Sequence, residues 1–491
     1  MIIDALDNFL NKLTMYRLVL YSLIALILLG LLFSVTGNVA ISTSGLILTT
    51  AVLVVICYVS NRAMSYAFKV STNNESWLIT ALILALILQP QTRPVKLVEV
   101  GLGAVIAMAS KFILVKNRSP IFNPAAIAAL VLSFAGFIPA TWWVGSPAMA
   151  SLSVVVALAL LRKQRKFSLF VSFTIASVII YLISSYYSGG QLSLLSIKTL
   201  LLSYPLIFLG SVMLTEPSTL PVTRYFQVLY AIIVGFIFAA QQHFGRISTT
   251  PELALIIGNI FTALIAYRFA SRIRLIERFK LADNIYELVF EKPQSLNFIA
   301  GQYMQWTFSH PKSDNRGNRR SFSIASSPTE KDLRVIYKTY EKSSTYKTRL
   351  GSLQPGQFVD IAQPAGEFTL PTDVSKKLIF VAGGIGITPF RSMIKYLIDQ
   401  GQERQIDLFY IAKPSEQVCK ELFKAAEKIG IRVNYIDGKI DNNVLKQVLD
   451  GDEDKIIYIS GPNGLVKYYK RQFLNLGLKR SSIKTDYFSG Y

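Results

Sequence analysis

Three short segments late in the chain carry residue types suited to nucleotide chemistry. Arg320-Ser321-Phe322-Ser323 sets a guanidinium, an aromatic ring and two hydroxyls side by side. An arginine fork suits a pyrophosphate, a ring suits the face of a flavin, and a hydroxyl can bond a ring or ribitol atom. Val381-Ala382-Gly383-Gly384-Ile385-Gly386-Ile387-Thr388-Pro389 leaves an apolar run and enters a helical pattern. Its glycines allow close backbone approach, and a helix N-terminus favours a phosphate, although the spacing is not G-x-G-x-x-G. Ser460-Gly461-Pro462 ends a later apolar run, at the carboxyl edge where parallel sheets bind ligands.

Other chemistry is excluded by what is scarce. The chain has two cysteines, Cys57 and Cys419, and two histidines, His243 and His310. A four-cysteine iron–sulfur cluster, a structural zinc and a disulfide framework are ruled out, and no metal site is expected. Only His243 lies in the first half, so haem held by axial histidines on helices is not expected either.

The elements that must position these motifs fall into two contrasting halves. The 491 residues are 52% hydrophobic and 16% charged, with a mean hydropathy of +0.40. Residues 1–270 hold 17 Lys+Arg and 6 Asp+Glu, whereas residues 271–491 hold 34 and 24. This split excludes disorder, a wholly soluble enzyme and a wholly embedded one. The net charge of +21 is shared by both halves. In the first half the basic residues sit between apolar runs, a pattern of membrane topology and anionic lipid contact, not of nucleic-acid binding.

Ten candidate helices are read at 17–35, 43–60, 76–89, 98–115, 124–139, 144–161, 167–187, 195–214, 226–242 and 252–270. Lysines and arginines in alternate loops place the N-terminus and the C-terminal half in the cytoplasm, on the inner face of the cell membrane. Arg93, Lys96 and Arg246 are exceptions. Pro90 and Pro217 lie 127 residues apart, as do Pro94 and Pro221, and Pro124 and Pro251. This offset implies a repeat of five helices, and an odd count inverts the second copy. Its breaks carry Glu216, in Thr215-Glu216-Pro217, and Asn123, in Phe122-Asn123-Pro124. A carboxylate at a membrane helix end is a functional candidate or simply faces water. Asn123 reads as an N-cap, at a helix end that could also hold an anion.

Ile121-Phe122-Asn123-Pro124-Ala125, Thr215-Glu216-Pro217 and the Gly245 to Pro251 approach resemble, over about 70–265, one membrane family. It is the B subunit of the sodium-pumping NADH:quinone oxidoreductase and the D subunit of the Rnf complex. The resemblance implies ten helices and a membrane flavin, FMN or riboflavin. The family's Ser-Gly-Ala-Thr attachment loop does not occur, and its Asp-Pro is Glu216-Pro217 here. Neither covalent attachment nor ion pumping is therefore implied.

After residue 272 short alternating strands, at 274–278, 285–290 and 303–308, predict a small antiparallel β-barrel over 272–372. Strands at 377–382, 406–411, 433–436 and 455–460 then alternate with helices at 389–400, 415–429 and 463–476. This predicts a parallel α/β sheet over 373–491, behind a membrane domain over 1–271. The three motifs, with Gly301-Gln302-Tyr303 before and Gly366-Glu367-Phe368 between, resemble the ferredoxin–NADP reductase superfamily over 272–491. The resemblance implies that Arg320, Phe322, Ser323, Ser344 and Thr345 hold FAD, with Ser343 replacing a usual glycine. It implies that Gly383, Gly384, Gly386 and Thr388 border the nicotinamide dinucleotide, with Gly461 and Pro462 at the same edge. Ser460 stands where many members have cysteine beside the nicotinamide. Phe488, in the tail Asp486-Tyr487-Phe488-Ser489-Gly490-Tyr491, is assigned to the flavin ring, with core packing as the alternative. NADH is favoured over NADPH, because Glu416 would repel a 2′-phosphate and no arginine clamp is near.

The whole then reads as a membrane-bound flavin-dependent NAD(P)H oxidoreductase. Electrons would pass from NADH through FAD, and a membrane flavin, to a quinone, with other electron-transfer subunits as conceivable partners. The alternatives are electron export to an extracytoplasmic acceptor, and a transporter with a redox-regulated cytoplasmic domain.

Overall fold

The computed structural model describes residues 10, 13–68, 75–116, 119–187, 194–240, 243–244, 247–269, 271–307, 319–340, 344–449 and 455–488. The chain divides into two compact units between Arg268 and Phe269.

The first unit is helical. Its helices are α1 (Met15–Val35), α2 (Thr43–Ala67), α3 (Ser76–Ile87) and α4 (Pro94–Ile113). A hairpin of β1 (Val115–Lys116) and β2 (Ser119–Pro120) leads to α5 (Pro124–Phe134), α6 (Ala150–Gln164) and α7 (Phe167–Tyr187). Then come α8 (Leu194–Ser203), the single turn α9 (Leu206–Phe208) and α10 (Arg224–Ala239). A second hairpin, β3 (His243–Phe244) with β4 (Ile247–Ser248), precedes α11 (Pro251–Phe269). Pro94, Pro124 and Pro251 each open a helix, where the missing N–H costs nothing. Thr14 and Ser42 cap α1 and α2 by accepting from Arg17 and Gly45 amides.

Among the described residues, four helical segments are long and apolar enough to cross a membrane: α1, α2, α6 with its preceding turn (Pro147–Gln164), and α7. Their apolar side chains also point outward: Leu28, Leu32, Val55, Ile175 and Ile179 are exposed. Such a surface suits lipid, not water. Two expected helices differ from the structure. The run 195–214 is interrupted at Pro205, whose ring cannot continue a helix, and resumes through α9 into a π-turn at Leu209–Met213. The run 124–139 stops at Phe134, and Gly136 takes a left-handed φ of +73°.

The second unit has two lobes. The first is a six-stranded antiparallel sheet ordered β8-β7-β10-β5-β6-β9. Its strands are β5 (Ser271–Ala282), β6 (Ile285–Glu291), β7 (Tyr303–Thr307), β8 (Arg319–Ser323), β9 (Asp332–Lys338) and β10 (Phe358–Ile361), with helix α12 (Thr345–Gly351) between β9 and β10. Inward Leu288, Phe290, Met304, Trp306, Val335 and Tyr346 fill its core. The second lobe is a five-stranded parallel sheet ordered β13-β12-β11-β14-β15. It comprises β11 (Leu378–Gly383), α13 (Thr388–Asp399), β12 (Ile406–Ile411), α14 (Lys420–Ala426), β13 (Ile431–Ile436), α15 (Asn442–Leu449), β14 (Ile456–Pro462), α16 (Asn463–Asn475) and β15 (Ile483–Phe488). The expected helix over 415–429 is only α14 with single turns on either side, because Cys419 adopts a left-handed φ of +63° that no α-helix accommodates.

The lobes meet along a polar seam. Arg391 of α13 forks onto Glu330, with Nη1 to Oε2 at 2.6 Å and Nη2 to Oε1 at 3.0 Å. Arg391 Nη1 also donates to the Ala325 carbonyl, and Ser392 Oγ to the Ser326 carbonyl, each at 2.7 Å. Lys338 of β9 pairs with Glu416 at 2.6 Å.

Two expectations follow. Burial raises the Glu330 carboxyl, but hydrogen bonds and charge from Arg391 outweigh it and hold the group below the usual glutamate range. The pair's contribution is therefore full above the ordinary glutamate pKa and is lost as pH falls through the depressed value. Melting temperatures of wild type and Glu330→Gln should converge in acid, and a gap that persists unchanged would contradict this. Separately, a Cβ on Gly386 would strike the Ser460 carbonyl and sit 2.6 Å from Gly461 Cα. Gly386→Ala should cost about 1–3 kcal/mol, read as a lower melting temperature.

Candidate functional site

The parallel sheet reverses its winding between β11 and β14, and ligands in such sheets bind outside the carboxyl ends at that point. Both predicted motifs end there. β11 runs into Gly383 and a single tight turn, Gly384–Ile387, then α13. β14 runs into Ser460, Gly461 and Pro462. Ala382 is the register partner of Ser460. Gly384 adopts a left-handed φ of +52° and would place a Cβ in open space, so this turn is open on its outer side. Gly461 sits at φ +150° with its Cβ position against the Gly383 backbone, so neither strand end tolerates a side chain there. Thr388 is buried and donates to the Ile385 carbonyl at 3.1 Å, which closes the turn.

Ser460 is fully buried, and among the described residues its hydroxyl has no partner. An unmet buried hydroxyl is costly, so this one fits a group that a ligand brings. Its neighbour in register across β14 and β15 is Asp486. Asp486 Oδ2 accepts from Ser323 Oγ of the barrel at 3.5 Å. Ser323 is buried at the end of β8, opposite Tyr303 of β7. Burial, then the Asp486 charge, pushes the Tyr303 phenol up. The crevice floor thus joins Ser323 from one lobe to Ser460 and Asp486 from the other.

Arg320 and Phe322 line the barrel side. The Arg320 guanidinium lies 5.1 Å over the Tyr346 ring, and Phe322 stacks on the same ring at 6.2 Å. Tyr346 is buried and donates to the Trp306 carbonyl at 3.0 Å. Ser344 caps α12 by accepting from the Lys347 amide, with Thr345 the first helical residue. Phe488 ends β15 opposite Pro462; its side chain lies outside the described residues, as does Ser343. Glu416, expected to repel a 2′-phosphate, is the Lys338 partner described above, so its charge is largely answered from within the protein.

Sequence reasoning missed Asp486 as a site residue, together with Tyr346, Arg391 and Glu330. The aspartate stood in a quoted tail, but only the aromatic next to it drew an assignment. Arg391 follows the glycine turn by five residues, yet nothing local names its partner.

In the first unit the structure brings together Asn123 and Glu216. Asn123 Oδ1 accepts from the Ala125 and Ala126 amides, and Asn123 Nδ2 donates to Glu216 Oε2 at 2.6 Å. Ser218 Oγ donates to Glu216 Oε1 at 2.7 Å, and the Asn123 amide donates to Asn259 Oδ1 at 2.8 Å. The helix end is thus capped and already faces a carboxylate, which would repel a phosphate there. Among the described residues, no cluster of three His, Cys, Asp or Glu could hold a metal ion.

Residues 380–471 match the family model of the oxidoreductase NAD-binding domain. The flavohemoprotein of Bacillus subtilis is 28% identical over 209 residues, covering 39% of this chain and 51% of that protein. The tetrachlorobenzoquinone reductase of Sphingobium chlorophenolicum is 31% identical over 170 residues, 33% of this chain and 52% of that one. The chain thus spans about half the length of the curated relatives it matches. Among solved structures, the flavohem-like FAD/NAD binding domain of nitric oxide dioxygenase from Vibrio cholerae aligns with a TM-score of 0.40 at 19% identity, over 45% of this chain and 99% of that one. Residues 380–471 of this chain thus match an oxidoreductase NAD-binding domain, and the C-terminal region around them is similar to that of flavohemoproteins and of a quinone reductase.

Proposed function

We propose that the chain is a membrane-bound oxidoreductase that takes electrons from NADH through FAD into its helical unit and on to a quinone. The observation that carries this reading is the crevice where Ser323, Ser460 and Asp486 converge, in a chain that also has four apolar helices of spanning length. In this reading residues 1–271 form the membrane domain, 272–372 the FAD lobe and 373–491 the nucleotide lobe. The basic loops put both termini on the cytoplasmic side of the cell membrane.

FAD, when bound, accepts a hydride and releases electrons singly. Arg320 would hold its pyrophosphate, helped by Ser344 and Thr345, while Phe322 and Ser323 meet the flavin. An open cleft of about 350 Å³ lined by Arg278, Tyr286, Tyr340, Lys347 and Thr348 offers aromatic faces and cations to an adenosine phosphate. Gly383, Gly384, Gly386 and Thr388 would admit the nicotinamide dinucleotide, with Gly461 and Pro462 as the facing wall. Ser460 supplies a small hydroxyl beside the nicotinamide, and Phe488 covers the flavin ring. NADH is preferred because the turn after β12, residues 412–419, carries one lysine and no arginine clamp.

Glu216 and Asn123 mark the membrane end of the path, near a flavin of FMN or riboflavin type held without a covalent link. A repeat of five helices is supported by the two hairpins, β1 with β2 and β3 with β4, which recur at an offset of 128 residues. Gln89-Pro90 and Glu216-Pro217 recur at 127.

The purified protein should be yellow, and its flavin band should bleach without oxygen when NADH is added, faster than with NADPH. A colourless or unresponsive preparation would overturn the reading. Denaturation should release FAD together with a second flavin, and reduction of a quinone analogue in detergent should outpace reduction of an impermeant dye outside sealed cells. The reverse order favours electron export. Arg320→Ala should weaken FAD retention about tenfold to a hundredfold, as expected for losing a charge-assisted contact. Unchanged flavin content would remove Arg320 from the site.

A further inference from the structure

We propose that the Arg391–Glu330 pair is a latch that sets the register between the flavin-bearing strand and the dinucleotide helix, making both positioning residues for hydride transfer. The proposal rests on the reading of this unit as an FAD-dependent NAD(P)H reductase.

The latch joins the two segments at their closest useful points. Ala325 lies two residues beyond Ser323, the end of the flavin-binding strand, and its carbonyl accepts from Arg391 Nη1 at 2.7 Å. Arg391 lies three residues beyond Thr388, in the first turn of the helix that leaves the glycine turn. The guanidinium also grips both oxygens of Glu330. Glu330 Oε2 in turn accepts from the Ser327 amide at 2.6 Å, so the same carboxylate pins the loop leaving β8. Arg334 backs it, with Nε 3.5 Å from Glu330 Oε1 and Nη1 donating to Glu287 Oε2 of β6 at 3.0 Å. Ser392 Oγ adds a parallel bond to the Ser326 carbonyl. Arg391 is only 9% exposed.

A buried ion pair is a weak source of stability, because desolvation offsets most of the attraction. Its two-pronged geometry is what it contributes: two parallel bonds define an angle as well as a distance. Lysine keeps the charge but offers a point donor without the planar fork. Hydride transfer is sensitive to such register, since misplacement by about 1 Å costs roughly a hundredfold. Among the described residues, the other contacts across the seam hold no comparable fork: Lys338 to Glu416 is a single contact, and Thr329 Oγ1 to Asp399 is an exposed hydroxyl bond.

The test uses the full chain in detergent and compares wild type with Arg391→Lys and Glu330→Asp. FAD content, NADH dissociation constant, melting temperature and the anaerobic rate of flavin bleaching are measured on each. Hydrogen exchange at the Ser327 amide is followed in flavin-stripped protein. Either variant should keep its FAD and bind NADH within about threefold of wild type, yet bleach about tenfold or more slowly. Exchange at Ser327 should rise. Bleaching at the wild-type rate in a folded variant, or slowing matched by an equal loss of NADH or FAD binding, overturns the latch. If one variant does not fold, the other decides. Wild type that fails to bleach with NADH overturns the reductase reading itself, an outcome distinct from failure of the latch.

Discussion

The nucleotide lobe is organised around a contact that no side chain could occupy. Gly386 lies against the Ser460 carbonyl and the Gly461 backbone, and Gly461 against Gly383. Two strand ends and one helix start are therefore drawn together by backbone alone. This closeness leaves the winding reversal with a floor of peptide groups and, among the described residues, the unmet hydroxyl of Ser460. The glycine turn and Ser460-Gly461-Pro462, assigned to the dinucleotide, are arranged around that floor. The apolar strands behind it, with Phe380, Leu408 and Tyr458 fully buried, make it rigid.

The helical unit follows the opposite economy. Its outward surface is apolar, and its polar groups turn inward onto one another. Asn123, Glu216, Asn259, Ser218 and Tyr230 form a connected set, with Asn259 Nδ2 donating to the Tyr230 hydroxyl at 3.3 Å. Glu252 and Trp142 form another, through the indole N–H at 2.9 Å. Such groups persist in an apolar setting only when they satisfy each other. Both sets lie where proline interrupts or opens a helix and frees backbone groups that side chains must answer.

What could be read in advance was local. The glycine turn and Ser460-Gly461-Pro462 announce themselves because the backbone conformations they need restrict residue choice within a few positions. Asn123 before Pro124 reads as a cap for the same reason. Partners across the fold could not be read this way. Glu216 is 93 residues from Asn123, Asp486 is 163 from Ser323, and Glu330 is 61 from Arg391. Each pairing depends on how separate elements pack, and a single charged residue in a sequence names no partner. The break in the run 195–214 was partly legible in Pro205, but the π-turn beyond it carries no residue signal. Arg320-Ser321-Phe322-Ser323 reads as the close of a strand and lies in β8, whereas β9 and β10 were not read, because charged residues in them obscure the alternation on which strand reading depends.

Ser460 has one more consequence. In the proposed function a reduced flavin in air would generate peroxide, and Ser460, assigned beside the nicotinamide, would be among the first residues to meet it. A thiol at that position would be exposed to stepwise oxidation towards sulfenic and sulfinic acids. An alcohol has no such ladder. Cys419, in the same lobe, is held as the neutral thiol by burial, its pKa pushed up to about 11, and so resists the same attack. Under the proposed function, the Ser460 position is thereby insulated against the by-product of flavin chemistry, and among the described residues Ser460 itself offers alkylating reagents no soft nucleophile.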